Sequence, residues 1–219
     1  GRPVDFDAVH VEGIRSISAL DIALAGELGY RIKLLGIARR VDASPGHGVE
    51  TRVHPCMVPV AHPIARVDGV FNAVVAEGDF VGRVVLEGRG AGAGPTASAV
   101  VADLIDIARG RRTPVWGVSD GALSALPAIP MARRGGAYYL RLMVLDRPGV
   151  IADVTATLRD HAISLESMLQ RGRAPGEAVP VVVTTHDCEE AQMRAALARI
   201  EALETVVEKP ALIRIENLQ

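Results

Sequence analysis

Residues Gly88 to Leu104 read GRGAGAGPTASAVVADL. Gly88, Gly90 and Ala93 fit the spacing G-x-G-x-x-G/A, in which glycines let the backbone approach a phosphate and the following helix presents free N–H groups to it. The stretch follows a predicted strand and precedes a predicted helix, the context that this spacing needs. Two further requirements fail. No second parallel strand ends in an acidic residue about 20 positions on, and no Lys-Ser/Thr pair completes a P-loop. A loop packed tightly against another element would use the same glycines, so an anion cradle and a packed turn both remain open.

The turn Asp146-Arg147-Pro148-Gly149 is a second candidate. It joins a predicted strand to a predicted helix, so the backbone N–H groups of Gly149, Val150 and Ile151 lie at a helix start, where a small carboxylate is favoured. An ordinary strand-to-helix turn has the same composition. Lysine occurs only at positions 33 and 209. Lys33 could shuttle a proton if its pKa were lowered, but its place in an alternating strand points to a solvated edge or face. His54-Pro55-Cys56 and His62-Pro63 offer two imidazoles and a thiol. Their spacing matches no familiar zinc site, and each histidine precedes a proline that favours extended backbone; no metal is assigned. Neither a Ser-His-Asp nor a Cys-His order can be argued from spacing, and no paired carboxylates stand out.

The elements that must position these residues have two characters. Ser18 to Leu28 has helical apolar spacing, Ser18 placed to cap with Asp21 three residues on, and Gly29 where a helix would stop. Two extended runs, YRIKLLGIARRV and GVETRVHPCMVPV, flank the turn formers DASPGH and predict a hairpin. FNAVVAEG and DFVGRVVLEG meet at Glu77-Gly78-Asp79, and their Val-rich alternation predicts a second pair with one face buried. After the glycine loop, Pro95 suits a first helical turn, and a stripe through Ala99, Val100, Leu104 and Ile107 carries a helix to Arg109. Residues 110–137 mix Pro, Gly and Arg without a period and predict a domain boundary. From Tyr138 the order becomes strand YYLRLMVL, turn DRPG, helix VIADVTATLRDH, strands ISLESMLQ and VPVVVTTH, a helix capped by Asp187 with Glu190, and strand PALIRIE. That is βαββαβ, a ferredoxin-like unit with two helices on one face of a four-stranded antiparallel sheet.

The whole chain is 219 residues, 49% apolar, with a formal charge of −2 and 3% aromatic residues. It is long enough for one large or two small cores. The charge balance gives no basic field and the few aromatics no stacking platform, which argues against nucleic acid as a partner. No apolar run approaches a bilayer-spanning length, and the start GRPVDFDAV has neither a signal-peptide core nor an initiator Met, which suggests a piece of a longer chain. Cys56 and Cys188 form no spaced pair, so a reducing cytoplasm is expected.

Two stretches carry a resemblance. VEGIRSISALDIALAGELGYRIKLLGIARRV, HPCMVPVAHPIARVDGVFNAV and GDFVGRVVLEGRGAGAGPTASAVVADL resemble, in order, the latter part of the catalytic domain of homoserine dehydrogenase. LMVLDRPGVIADVTATLRDHAISLESMLQ resembles the ACT domain that follows it in many bacterial members. The resemblance implies an α+β protein in three parts: a partial catalytic and dimerisation domain over 1–112, a linker over 113–136, and an ACT regulatory domain over 137–219. It also implies an NAD- or NADP-dependent oxidoreductase of amino-acid biosynthesis acting on L-homoserine, with the Rossmann domain and catalytic Asp and Lys preceding Gly1. No catalytic residue is then expected within this chain, and Lys33 does not inherit the lysine's role. By the same resemblance Gly90, Ala91 and Gly92 lie near the cofactor. Asp146, Arg147, Pro148, Gly149, Val150 and Ile151 would bind an amino-acid effector, L-threonine foremost, across a homodimer interface.

Overall fold

The computed structural model describes residues 5–42, 47–112, 114, 117, 119–123, 125–170 and 175–218. The elements in chain order are β1 (His10–Val11), α1 (Ala19–Glu27), β2 (Tyr30–Asp42), β3 (His47–Pro59), β4 (Phe71–Gly78), β5 (Gly82–Arg89), α2 (Ala93–Ala108) and β6 (Gly135–Gly136), then β7 (Tyr138–Leu145), α3 (Val150–Asp160), β8 (Leu165–Gln170), β9 (Ala178–Thr185), β10 (Cys188–Glu189), α4 (Glu190–Glu201) and β11 (Ala211–Ile215). They form two compact units, one from Asp5–Pro59 with the chain from Pro127 onward, the other around Val60–Leu126.

The larger unit is built on one sheet. Strands β7, β8, β9 and β11 pair antiparallel in the order β11-β7-β9-β8, and with α3 and α4 they make the ferredoxin-like βαββαβ unit. The sheet does not stop at four strands. β11 pairs in parallel with β3, placing Arg214 beside Cys56 and Ile215 beside Met57. Through β3 it takes in β2 and β1, giving seven strands. The compact units therefore cut the chain differently from a division at 112 and 136. The turn DASPGH between β2 and β3 lies largely outside the described residues, while the pairing on either side runs from Tyr30–Pro59 to Asp42–His47.

Strand alternation explains why both sheet faces are dry in the middle. On β7, Tyr138, Leu140, Leu142 and Val144 join Val154 and Leu158 of α3 and Met193, Ala196 and Ile200 of α4. Tyr139, on the opposite face, packs with Val182, Ile213, Ile215 and Met57 against Leu24 and Ala25 of α1. The cap of α1 is as expected, with Ser18 and Asp21 forming a reciprocal capping box. That of α4 is not. Glu189 and Gln192 form the box there, two residues beyond Asp187, because the short strand β10 extends the backbone through Cys188–Glu189.

In the smaller unit, β4 and β5 pair with each other as predicted, from Phe71–Arg89 to Gly78–Gly82, and among the described residues with no other strand, but the turn falls at 79–81, not at Glu77-Gly78-Asp79. The expectation of one buried face fails here. Every residue of β5 is exposed, and no residue of α2 is buried. A two-stranded ribbon has no second layer of its own to cover its apolar face, so Val74, Leu86, Val100, Leu104 and Ile107 are all exposed.

Candidate functional site

The glycine loop leaves β5 at Arg89 and enters α2 through Gly92. Gly92 is the N-cap residue with φ +127°, a conformation that side-chain-bearing residues rarely adopt. Gly90 donates its N–H to the Val70 carbonyl at 3.0 Å. A Cβ on Gly90 would stand 1.9 Å from the Asn72 amide nitrogen. Backbone conformation favours glycine at 92, whereas a side chain at 90 would have to displace the end of the Asn72 side chain. Gly90, Ala91 and Gly92 are exposed, and the first-turn N–H groups of the 16-residue helix α2 have no intrahelical acceptor. The arrangement offers unshielded backbone donors to an anionic group, and so fits one wall of a dinucleotide site.

The second candidate, Asp146 to Ile151, lies at the end of β7. Gly149 is the N-cap of α3 with φ +96° and accepts from the Asp153 N–H at 3.0 Å. The turn is braced by backbone bonds from Asp146 N–H to Glu177 O at 2.9 Å and from Gly176 N–H to Asp146 O at 3.2 Å. A cavity of about 380 Å³ is lined by residues 144–151 together with Gln170 and Pro175. That volume holds a small amino acid. The structure thus gathers all six expected residues around one cavity.

The histidine and cysteine candidates come together only in part. His54, Cys56 and Glu216 have potential ligand atoms within 4.8 Å of one another, and all three are buried; His62 is not among them. His62 instead accepts from the Ile64 N–H at the head of a short 3-10 turn. Burial lowers the His54 imidazole to about 4 and pushes the Cys56 thiol up to about 12. The Glu216 carboxylate is already held by Arg52 at 3.1 Å and Arg134 at 2.9 Å. A divalent cation would have to displace two guanidinium groups and deprotonate a reluctant thiol, so the chemistry of the set opposes metal binding. Lys33 stands opposite Cys56 on β2, half-buried rather than solvated. Cys188 is buried, and its thiol is raised to about 11 by burial.

Sequence reasoning missed the buried charges that hold this unit together. Asp21 is fully buried, and beyond its cap it accepts from Tyr139 at 3.1 Å and Arg141 at 2.7 Å. Arg214 binds Glu190 at 2.6 Å and Glu12 at 2.9 Å. Burial alone would raise Glu190, but Arg214 and Arg194 outweigh it and hold the carboxyl at about 2. Asp21 and Glu190, both expected at helix starts, carried a local signal for their caps. Their buried partners did not: Asp21 meets Tyr139 and Arg141 across 118 and 120 positions, and Arg214 meets Glu12 across 202.

Comparison with known proteins matches two segments of the chain. Residues 1–105 match the family model described as homoserine dehydrogenase, and residues 138–205 match that of the ACT domain. A homoserine dehydrogenase from Neisseria gonorrhoeae is 41% identical over 224 residues, which is 100% of this chain and 51% of that protein. One from Synechocystis is 42% identical over 226 residues, covering 98% and 51%. The chain thus spans about half the length of the curated relatives that it matches. Among solved structures, a homoserine dehydrogenase from Thiobacillus denitrificans superposes with a TM-score of 0.87 at 44% identity, over 100% of this chain and 50% of that one. The enzyme from Staphylococcus aureus shares the fold, with a TM-score of 0.64 at 21% identity. The chain thus matches, in order, the homoserine dehydrogenase family over residues 1–105 and the ACT domain over residues 138–205, and along its whole length it is similar to one half of proteins named homoserine dehydrogenase.

Proposed function

We propose that this chain contributes one wall of the cofactor site and the regulatory module of an NAD- or NADP-dependent homoserine dehydrogenase. The whole enzyme interconverts L-homoserine and L-aspartate 4-semialdehyde, an early step of threonine, methionine and isoleucine synthesis, in the cytoplasm. The observation that carries the reading is the end-to-end match of these residues, in order, to proteins of that name. The nicotinamide cofactor supplies the hydride acceptor or donor. From this chain, the Gly90, Ala91 and Gly92 backbone would line it, with the N–H groups of Ala91 and Gly92 facing it at the head of α2 while the Gly90 N–H stays on the Val70 carbonyl. Neither lysine of the chain is presented as a proton-transfer group: Lys33 lies within a paired strand, and Lys209 just before β11. The 219 residues by themselves are therefore expected to be inactive, since positioning without proton transfer does not replace catalysis. The test is homoserine-dependent reduction of NAD or NADP by this chain alone; turnover above the no-protein rate overturns the reading.

A second role rests on the cavity beside the Asp146 to Ile151 turn. The ACT domain senses an amino acid there, L-threonine foremost, with its carboxylate at the N-terminus of α3, and the working form is a homodimer. Titration calorimetry with L-threonine should show binding that disappears in Gly149→Trp. No heat at millimolar threonine would leave the domain an assembly element rather than a sensor.

A further inference from the structure

Where β1, β3 and the segment approaching β6 meet, there is a small cavity of about 10 Å³. Arg52 and Arg134, each 2% exposed, line it, together with His10 and Glu50. Both guanidinium groups spend part of their donors on carboxylates. Arg52 binds Glu50 through Nη1 and Glu216 through Nη2, while Arg134 binds Glu216 through Nε and Nη2. Each keeps one nitrogen with no acceptor among the described residues: Nε of Arg52 and Nη1 of Arg134. The Nε2 of His10 is also buried and unpartnered by hydrogen bonding.

Charge points the same way. The buried Arg52 and Arg134 are balanced by Glu50 and Glu216, and Arg39, 46% exposed and 3.6 Å from Glu216, adds one positive charge at the rim. An unsatisfied N–H on a buried cation is costly. The group that would satisfy it is anionic, accepts hydrogen bonds from more than one direction, and is small, because the cavity has room for about one water-sized sphere. Phosphates, sulfates and amino-acid carboxylates are too large.

We infer that Arg52 and Arg134 form a binding site for a single monatomic anion, chloride, which locks the β2–β3 hairpin and the segment before β6 onto the ACT-domain sheet. The anion accepts from Arg52 Nε and Arg134 Nη1 and neutralises the residual charge. Its place is structural: Ile129 and Met131 close the cavity beside it, and the nearby backbone bonds Val49 N–H to Pro127 O and Ile129 N–H to Val49 O, at 3.0 and 2.9 Å, tie the same two segments.

The test uses the unsubstituted chain. Thermal unfolding at constant ionic strength, with chloride replacing gluconate, should show a Tm that rises with chloride and becomes logarithmic in its concentration, as binding to the folded state alone requires. In crystals grown with bromide as the only halide, an anomalous difference peak should lie within hydrogen-bond distance of both nitrogens. Arg134→Lys keeps the charge but removes Nη1 and should abolish the chloride dependence of Tm. If that variant does not fold, the anomalous map and the unsubstituted chain's Tm decide. Equal Tm in chloride and gluconate, a water at the position, or a peak without any change in Tm (binding at crystal concentration only) each overturns the proposal.

Discussion

At Asp21 one carboxylate accepts the Ser18 backbone N–H at 3.0 Å, completing the cap of α1, and the Tyr139 hydroxyl at 3.1 Å, and pairs with Arg141 at 2.7 Å. Burial by itself would raise its pKa, but the bonds from Arg141 and Ser18 bring it below the usual carboxylate value. Removing one member of a buried pair leaves the other charge uncompensated, so Asp21→Ala should cost about 3–5 kcal/mol. Urea unfolding would measure it; a loss under about 1 kcal/mol would show that Asp21 serves only as a cap. The sequence exposed the cap because Ser18 and Asp21 are three residues apart. It concealed the rest, since Tyr139 and Arg141 lie on a strand about which local spacing says nothing. The glycines behave in the same way. Gly90 is visible as part of a motif, while the crowding there, the end of the Asn72 side chain 1.9 Å from where a Cβ would stand, comes from strand pairing that sets Asn72 opposite Gly88.

Elements with the same apolar pattern have opposite fates in the two units. Leu158 of α3 is fully buried between sheet and helix, whereas Leu86 of β5 is 66% exposed. Leu158→Ala should therefore destabilise by about 2–5 kcal/mol, and Leu86→Asp by no more than about 0.5 kcal/mol in this chain. Denaturant titrations of the two variants would check both; a large cost at Leu86 would mean that the β4–β5 ribbon packs against something in solution. Strand alternation predicted the ribbon, yet periodicity reports which face is apolar, not whether a partner covers it. The cap of α4 shifted for a related reason: Asp187 and Glu189 both have capping side chains, and the pairing of β10 with β6 decided between them.

Across the whole molecule the carboxylates and histidines whose values are lowered act in one direction as pH falls below 7. Glu190, held near 2 against an ordinary 4.5, and Glu216 and Asp21, also lowered, contribute stability that is full above the ordinary carboxylate value and is lost as pH falls through their folded values. His54 is neutral in the fold down to about 4, while the unfolded chain takes up its proton near 6.5. Its contribution therefore also falls as pH drops, over the window from about 6.5 to about 4. Burial lowers His10 and His62 as well, with the same sign. Stability should decline from pH 7 downward, first by the histidines and then more steeply by the carboxylates, each proton contributing at most about 1.4 kcal/mol per pH unit. Urea unfolding between pH 7.5 and 3.5 would show this, and His54→Gln should flatten the upper part of the curve. Stability that rises as pH falls from 7 to 5 would contradict it.

By itself, the sequence determined the local features: the cap of α1 at Ser18, Pro95 in the first turn of α2, the two hairpins, the βαββαβ order from Tyr138 and the residues of the 146–151 turn. Each of these depends on neighbours a few positions apart, and such interactions leave a period or a cap in the sequence. Only the tertiary structure decided that the four-stranded sheet continues into the β2–β3 hairpin through Arg214 and Cys56. It also decided that Arg52, Arg134 and Glu216 form one buried cluster. Parallel pairing between distant strands and ion pairs over 164 residues leave no periodic trace, because the groups that meet are set by how whole elements pack.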